Sequence, residues 1–418
     1  MMRRMMRRVM RRVMRRLAVL GVVALGLAVQ SLCAQQARRD PENLRPGINV
    51  LLDEQLSHIR GRRVVLIVDG GARDNRGDRV TELFSSDKRV RAARIVVAGS
   101  WRPESWPEVG VGPLGGGRAA DSVQLVRLSK VIDSVAQDAQ TLVVDLLDGG
   151  MRSSAAPWIM LAVLRRAAQN ALPVVVLDRP NPLTGEHVEG PTADSTGGAS
   201  DALYGLPSRH GMTIGEIARW FNAAGRIGAA LEVIPVRGWR RSLWPLDRHL
   251  PTMLPGGREI TPAQLALLGT LAPLGGTNLL VSPGPGRNSV SIGAPWLNAK
   301  AVWNALADRL MAGVKFTSGR EDFAHGPAAP IRLPSLSVEV TDRDNAAGLR
   351  VLLGILAAVR AAHPDSLHLD AELFDRLVGT PTVRSALFRG DDPDAIADRH
   401  LASVLDFRRR ARLALLYR

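Results

Sequence analysis

Acidic residues recur in this sequence where apolar runs end. Asp69 follows Arg63–Val68 (RVVLIV), Asp148 follows residues 142–146 (LVVDL), Asp178 follows residues 173–177 (PVVVL), and Glu104 stands shortly after residues 94–98 (RIVVA). Carboxyl groups collected at strand ends suit general acid–base work or nucleophilic attack when burial or neighbouring charge drives their pKa values apart. Arg152, Arg179, Asn181, Glu189, the pair Arg209-His210 and the later pair Thr277-Asn278 supply further charged and hydrogen-bonding groups. Arginine can grip a carboxylate through two parallel hydrogen bonds, histidine can donate to a ligand oxygen, and Trp101 and Trp106 beside Glu104 offer flat faces for stacking. Each has an ordinary use as well. A lone aspartate at a strand end caps a helix or shapes a turn, Asn181 between two prolines is a turn former, Glu189 before Gly190-Pro191 is a turn carboxylate, and His210 caps a helix. His58, His325, His363, His368 and His400 show no metal-ligand spacing, and the sole cysteine is Cys33. No metal and no other cofactor is therefore expected.

These residues need elements to hold them. The four apolar runs are short, rich in β-branched residues and bounded by Asp-Gly or Asp-Arg-Pro, as buried parallel strands are. A helix-like stretch at 158–168 lies between the last two. Strands alternating with helices predict a parallel sheet with helices on both faces, and ligands bind such sheets beyond the carboxyl ends of the strands, where the polar clusters sit. No glycine-rich dinucleotide fingerprint follows the first strand and no phosphate-binding loop is present. Thr213 with Glu216 three residues on predicts a capped helix start. From about residue 236 the texture changes to Pro/Gly-rich loops, then a strand at 336–340, a helix at 345–362, and a helical, basic stretch over 386–418, whose end, Arg408 to Arg418, reads as a solvated face. The division is thus a parallel-sheet α/β domain over 47–235 and a smaller α+β domain over 236–418.

The chain has 418 residues, 46% of them hydrophobic, enough for two cores. Its net charge of +15 is uneven, because residues 1–34 hold eight arginines and no acid. The rest carries 47 basic and 40 acidic residues, only four of them lysines, which with no binding motif argues against nucleic acid as a partner. A basic flank, an apolar run of 13 at residues 17–29 and a small residue at Ala34 describe a secretory signal over 1–34, cleaved after Ala34. Residues 35–46 read as a linker, and Met14 is a second possible start. The run is short for a bilayer span; the alternative is an uncleaved inner-membrane anchor. A secreted or periplasmic protein is expected, touching the membrane only through that segment if it is uncleaved.

A more specific signal runs from residue 177 to residue 216. Leu177-Asp178-Arg179-Pro180-Asn181-Pro182, Gly185, Val188-Glu189-Gly190-Pro191 and Arg209-His210-Gly211-Met212-Thr213-Ile214-Gly215-Glu216 follow one another closely. Together with Val144-Asp145-Leu146-Leu147-Asp148-Gly149-Gly150-Met151-Arg152, Gly275-Gly276-Thr277-Asn278, Gly293-Ala294-Pro295-Trp296 and Val340-Thr341-Asp342, this block resembles the DUF1343, or NamZ, family of exo-β-N-acetylmuramidase glycoside hydrolases. The resemblance implies a Rossmann-like first domain, a smaller second domain with a cleft between them, and release of N-acetylmuramic acid from non-reducing ends of peptidoglycan fragments. Peptidoglycan fragments or muropeptides would be its partners. It implies Glu104 as the acid/base, with Asp178 a catalytic or sugar-binding acid, or a loop anchor paired to Arg179 or Arg209. Asp69, Asp148, Arg152, Arg179, Asn181, Glu189, His210, Thr277 and Asn278 would contact the sugar, and Arg209 its lactyl carboxylate.

The sequence also departs from the family pattern. Where the family has S-P-E-H-G, this chain has Arg102-Pro103-Glu104-Ser105-Trp106, so the glutamate stays and the histidine is gone. The glutamate of E-G-T-N is Gly275, and the family's S-E-G-R-G-T run becomes Ser282-Pro283-Gly284-Pro285-Gly286-Arg287. Two readings follow: a divergent hydrolase whose second group is Asp69, Asp148 or Asp178, or a non-catalytic muropeptide-binding or envelope protein on the same fold.

Overall fold

The computed structural model describes residues 44–97, 130–193, 202–245, 261–284, 288–325 and 328–418, except positions 308, 310 and 347. The segment read as a secretory signal, most of the residues read as a linker, Glu104, Trp101 and Trp106 lie outside the described residues, and every element named here belongs to the unit Arg45–Arg418. Four strands arise where the apolar runs predict them: β1 (Arg63–Val68), β2 (Arg91–Val97), β3 (Thr141–Asp145) and β4 (Val174–Leu177). With β7 (Leu231–Ile234) they form a parallel sheet of order β2-β1-β3-β4-β7. The period-2 alternation of strand side chains divides the sheet between two cores. Val65, Ile67, Leu142, Val144, Val174 and Val176 face helices α3 (Ala155–Gln169) and α4 (Ile214–Ala224). Val64, Leu66, Val68, Val143, Val175 and Leu177 face helices α1 (Gly47–Asp53) and α2 (Val80–Ser86). Every one of these strand residues is buried, as a sheet covered on both faces requires.

The second layer is a four-stranded antiparallel sheet of order β10-β11-β9-β8, built from β8 (Leu280–Pro283), β9 (Ser289–Gly293), β10 (Val314–His325) and β11 (Ala328–Val340). Helices α5 (Pro262–Thr270), α6 (Ala299–Ala307) and α7 (Gly348–Ala362) pack with it in a separate core, to which α8 (Ala371–Val378), α9 (Pro381–Arg389) and α10 (Pro393–Asp398) add. Helix α7 starts three residues later than predicted. Asp342 accepts hydrogen bonds from the Asp344 N–H and the Asn345 side chain, which ties residues 342–346 into a turn. The Glu189 carboxylate then accepts the Gly348 N–H at 3.0 Å, at the true start.

A two-stranded ribbon, β5 (Glu189–Thr192) with β6 (Pro207–Arg209), lies at the junction of the layers. Met151 and Leu183, from loops of the parallel sheet, are buried in the second core. The last helix, α11 (Leu401–Ala411), does not remain with its sequence neighbours: Phe407, Ala411 and Ala414 are buried against α3 and α4 in the first core. Ala411 and Ala414 thus anchor the stretch 408–418 read from sequence as a solvated face, and Phe407 just before it meets Trp220 edge-on at 5.4 Å.

Gly47 shows how closely these parts fit. A Cβ there would lie 2.5 Å from the Asp178 nitrogen and 2.7 Å from the Ile234 carbonyl oxygen, both backbone atoms that cannot swing away. Gly47→Ala is expected to lower the unfolding free energy by about 1–3 kcal/mol through overpacking, read as a drop in urea midpoint with an unchanged m value.

Candidate active site

The strand order reverses between β1 and β3, because the chain leaves β1 for β2 on one side and returns to β3 on the other. In open parallel sheets the crevice beyond the carboxyl ends at that reversal is where ligands bind. Asp69 and Asp145 stand there. Val68 pairs with Asp145, and the Asp69 N–H donates to the Asp145 carbonyl at 2.9 Å. Asp145 is fully buried and held by Arg179 through Nε and Nη2, the latter at 2.9 Å. The third arm of Arg179 donates to the Arg73 carbonyl at 2.9 Å, so the guanidinium is spent on orienting Asp145 and the neighbouring loop.

Asp69 itself is only partly enclosed and accepts one hydrogen bond, from the Gly71 N–H at 2.8 Å. Its carboxyl is pushed up to about 6, first by desolvation; the Gly71 bond opposes this, Asp145 adds repulsion, and Arg179 offsets part of it. A partly exposed carboxyl protonated near neutral pH, at the crevice of a parallel sheet, has the property a proton donor to a leaving group needs.

A second pair lies along the loop after β3. Asp148 accepts from Ser154 Oγ at 2.6 Å and from the Gly150 N–H at 2.9 Å. His210 is fully buried, and its Nδ1 accepts the Met212 N–H at 3.1 Å. The neutral ring then carries its proton on Nε2, which lies 3.2 Å from Asp148 Oδ2 but off the line of a hydrogen bond. Enclosed in this way, His210 faces Asp148 rather than open solvent.

Most of the other sequence-selected residues hold the scaffold. Asp178 is fully buried and accepts from the Arg179 N–H (2.9 Å), the Gly215 N–H (2.7 Å), Thr213 Oγ1 (2.8 Å) and Tyr417 Oη (2.6 Å). Both its oxygens are filled, so the geometry makes it the anchor of the loop and of the α4 start rather than a reaction-facing acid. Its loop-holding partners are the Arg179 backbone and the α4 cap, since the Arg179 side chain goes to Asp145. Burial, with Glu216 adding repulsion, outweighs the Tyr417, Gly215 and Thr213 donors and pushes its carboxyl up to about 7. Asn181 closes a turn, donating to the Met212 carbonyl and accepting the Leu183 N–H, both at 2.8 Å. Arg152 spans the layers: it donates to the carbonyls of Pro191 and Leu206 on one side and of Leu377 and Val378, at the end of α8, on the other. Such a cap satisfies carbonyls that a helix end leaves open.

Arg209 is almost wholly buried, donates to the Leu183 carbonyl at 2.7 Å, and lies 3.4 Å from Glu189 and 5.4 Å from the Trp244 ring centre. Desolvation holds its guanidinium below the usual value. It borders, with Arg152, Glu189, Gly269, Gly348 and Leu352, a junction cavity of about 30 Å³, which suits a water molecule and not a sugar. Thr277 and Asn278 bond to residues 274, 279, 366 and 368 within the second layer. Among the described residues no three His, Cys, Asp or Glu side chains gather as a metal site would require, and no helix is long and apolar enough to cross a membrane.

The comparisons agree with this architecture. Residues 127–256 match the family described as exo-beta-N-acetylmuramidase NamZ, N-terminal, and residues 269–417 match its C-terminal counterpart. The chain belongs to the NamZ family. It is 25% identical over 397 residues to the peptidoglycan beta-N-acetylmuramidase NamZ of Bacillus subtilis (strain 168), covering 91% of this chain and 93% of that one. Two crystal structures of DUF1343 family proteins from Bacteroides fragilis NCTC 9343 share the fold. One has a TM-score of 0.71 at 20% identity, the other 0.60 at 18%; each comparison covers 90% of this chain and 99% of theirs. Asp145 and the loop block from residue 177 to residue 216 lie within the matched NamZ N-terminal residues.

Sequence reasoning missed Asp145, Ser154 and Tyr417. A carboxylate inside the apolar run of β3 was the one signal available, since a buried charge must have a partner.

Both raised carboxyls bind protons more readily folded than unfolded, so their stabilising contribution is complete below about 3.8 and is lost as pH rises through about 6 for Asp69 and about 7 for Asp178. Urea denaturation is expected to show stability falling across that window, with a shallower fall in Asp178→Asn.

Proposed function

We propose that this chain is a secreted glycosidase that releases N-acetylmuramic acid from non-reducing ends of peptidoglycan fragments. The observation that carries the reading is Asp69, a partly exposed carboxyl raised to about 6 at the β1/β3 crevice of a NamZ-family chain. Glycoside hydrolysis needs one group to protonate the leaving oxygen and another to activate water or attack the sugar. From sequence, Glu104 takes the acid role; the desolvation of Asp69 argues for assigning proton donation to Asp69 and the complementary role to Glu104. Asp145 with Arg179 fixes the field at Asp69. Asp148, through Ser154 and the Gly150 N–H, stiffens the loop beyond β3. The basic, then apolar segment at residues 1–34 supports export to where peptidoglycan lies.

The enclosed, fully paired state of Arg152, Asn181 and Asp178, with Ser105 and Gly275 in place of family histidine and glutamate, favours one other reading: a muropeptide-binding protein without turnover. Binding can outlive lost acid–base groups, which act mainly in the transition state.

Turnover of an aryl N-acetylmuraminide by the purified protein separates the two. A protonated Asp69 as donor requires activity to fall as pH rises through about 6. Asp69→Asn is expected to lower kcat by roughly 10²–10⁴-fold on an unactivated disaccharide, and by much less on a nitrophenyl glycoside, whose leaving group needs little protonation. Glu104→Gln should lower kcat on both. Saturable binding of muramic-acid ligands with no product at any pH would establish the non-catalytic reading instead.

A further inference from the structure

Tyr417 is 239 positions from Asp178 in sequence, yet its hydroxyl donates to Asp178 Oδ2 at 2.6 Å and accepts the Val236 N–H at 2.8 Å. Its segment is held on several sides. The Leu416 N–H donates to Glu216 Oε1 at 2.8 Å, the Arg241 N–H donates to the Arg418 carbonyl at 3.2 Å, and Arg219 donates to the Leu413 carbonyl at 3.2 Å. Trp239 meets the Tyr417 ring edge-on at 4.8 Å. Packing alone would be served by phenylalanine. The hydroxyl has a distinct use, because a buried phenol needs a polar partner and this one is given the carboxylate that also receives the Arg179 N–H. Arg179 in turn fixes Asp145, whose backbone carbonyl receives the Asp69 N–H.

We infer that Tyr417 is a positioning residue: its hydroxyl fixes the Asp178–Arg179 end of β4 and, through Arg179 and Asp145, the stance of Asp69. This rests on the reading of Asp69 as a reacting carboxyl. The phenol keeps its proton throughout the working range, since burial beside Asp178 pushes it up, so it acts as a fixed donor.

The test compares Tyr417→Phe with Phe407→Leu in the full chain. The second variant loosens α11 against Trp220 without touching Asp178. Tyr417→Phe is expected to lower kcat about tenfold with KM within about twofold, and to speed amide hydrogen exchange at 145–148 and 178–182. Phe407→Leu, at an equal or larger loss of Tm, should leave kcat and exchange at those segments unchanged. Trp239→Phe should give a smaller fall in kcat without loss of Tm, because it frees the Tyr417 ring while removing an indole N–H that has no partner among the described residues; it stands in if Tyr417→Phe does not fold. Unchanged exchange at 145–148 and 178–182 in Tyr417→Phe and Trp239→Phe, with wild-type kcat, would overturn the inference. Absence of turnover in the wild type, with the exchange pattern as expected, would sink the hydrolase reading and leave the positioning intact.

Discussion

A carboxylate taken out of water must be met by donors, and the loops above the parallel sheet are arranged around two that are wholly enclosed. Asp145 ends β3 and Asp178 follows β4, and neither has solvent to turn to. Arg179 serves both, its side chain on Asp145 and its backbone N–H on Asp178. The remaining donors come from Thr213 and Gly215 at the start of α4 and from Tyr417. Leaving such a group unpaired costs more than any one bond returns. The strand ends, the α4 cap and the segment after α11 are thereby locked to one another. Asp69 stands at the edge of this network, close enough to be desolvated and repelled, open enough to meet a ligand. Its raised pKa comes first from that desolvation, with Asp145 adding repulsion and Arg179 offsetting part of it.

The same economy explains why so many residues with the look of ligand contacts turn out to be tied. Arg152 and Arg209 lie at the junction of the layers, where helix ends and loop carbonyls face a low-dielectric gap. An arginine brings several donors in a fixed plane, so one side chain can close carbonyls from both layers. Asn181 does for a turn what Arg152 does for the interface. The family-like block from residue 177 to residue 216 is in large part a recipe for this junction. Its persistence beside altered site motifs is what a shared scaffold with diverging chemistry would leave.

Much of the fold was legible. The β-branched runs at 63–68 and 173–177 and the Thr213–Glu216 capping box became strands and a helix start because local pattern and tertiary need agree there. Helix α7 began late because a side chain from the other layer, Glu189, defines its start, and no local pattern carries that. For the candidate site, the strand-end rule pointed to Asp69, Glu104, Asp148 and Asp178 alike. It could not rank them, because desolvation depends on residues brought close only by folding. Tyr417 was beyond reach for the same reason: its partners Asp178 and Val236 are 239 and 181 positions away.

The central claim is that enclosure beside Asp145 makes Asp69 retain its proton well above the ordinary aspartate range. Carbon-13 NMR of the Asp69 side-chain carboxyl, assigned by comparison with Asp69→Asn, measures this without reference to any substrate. The account expects a titration midpoint near 6, and a midpoint at the ordinary value of 3.8 would contradict it.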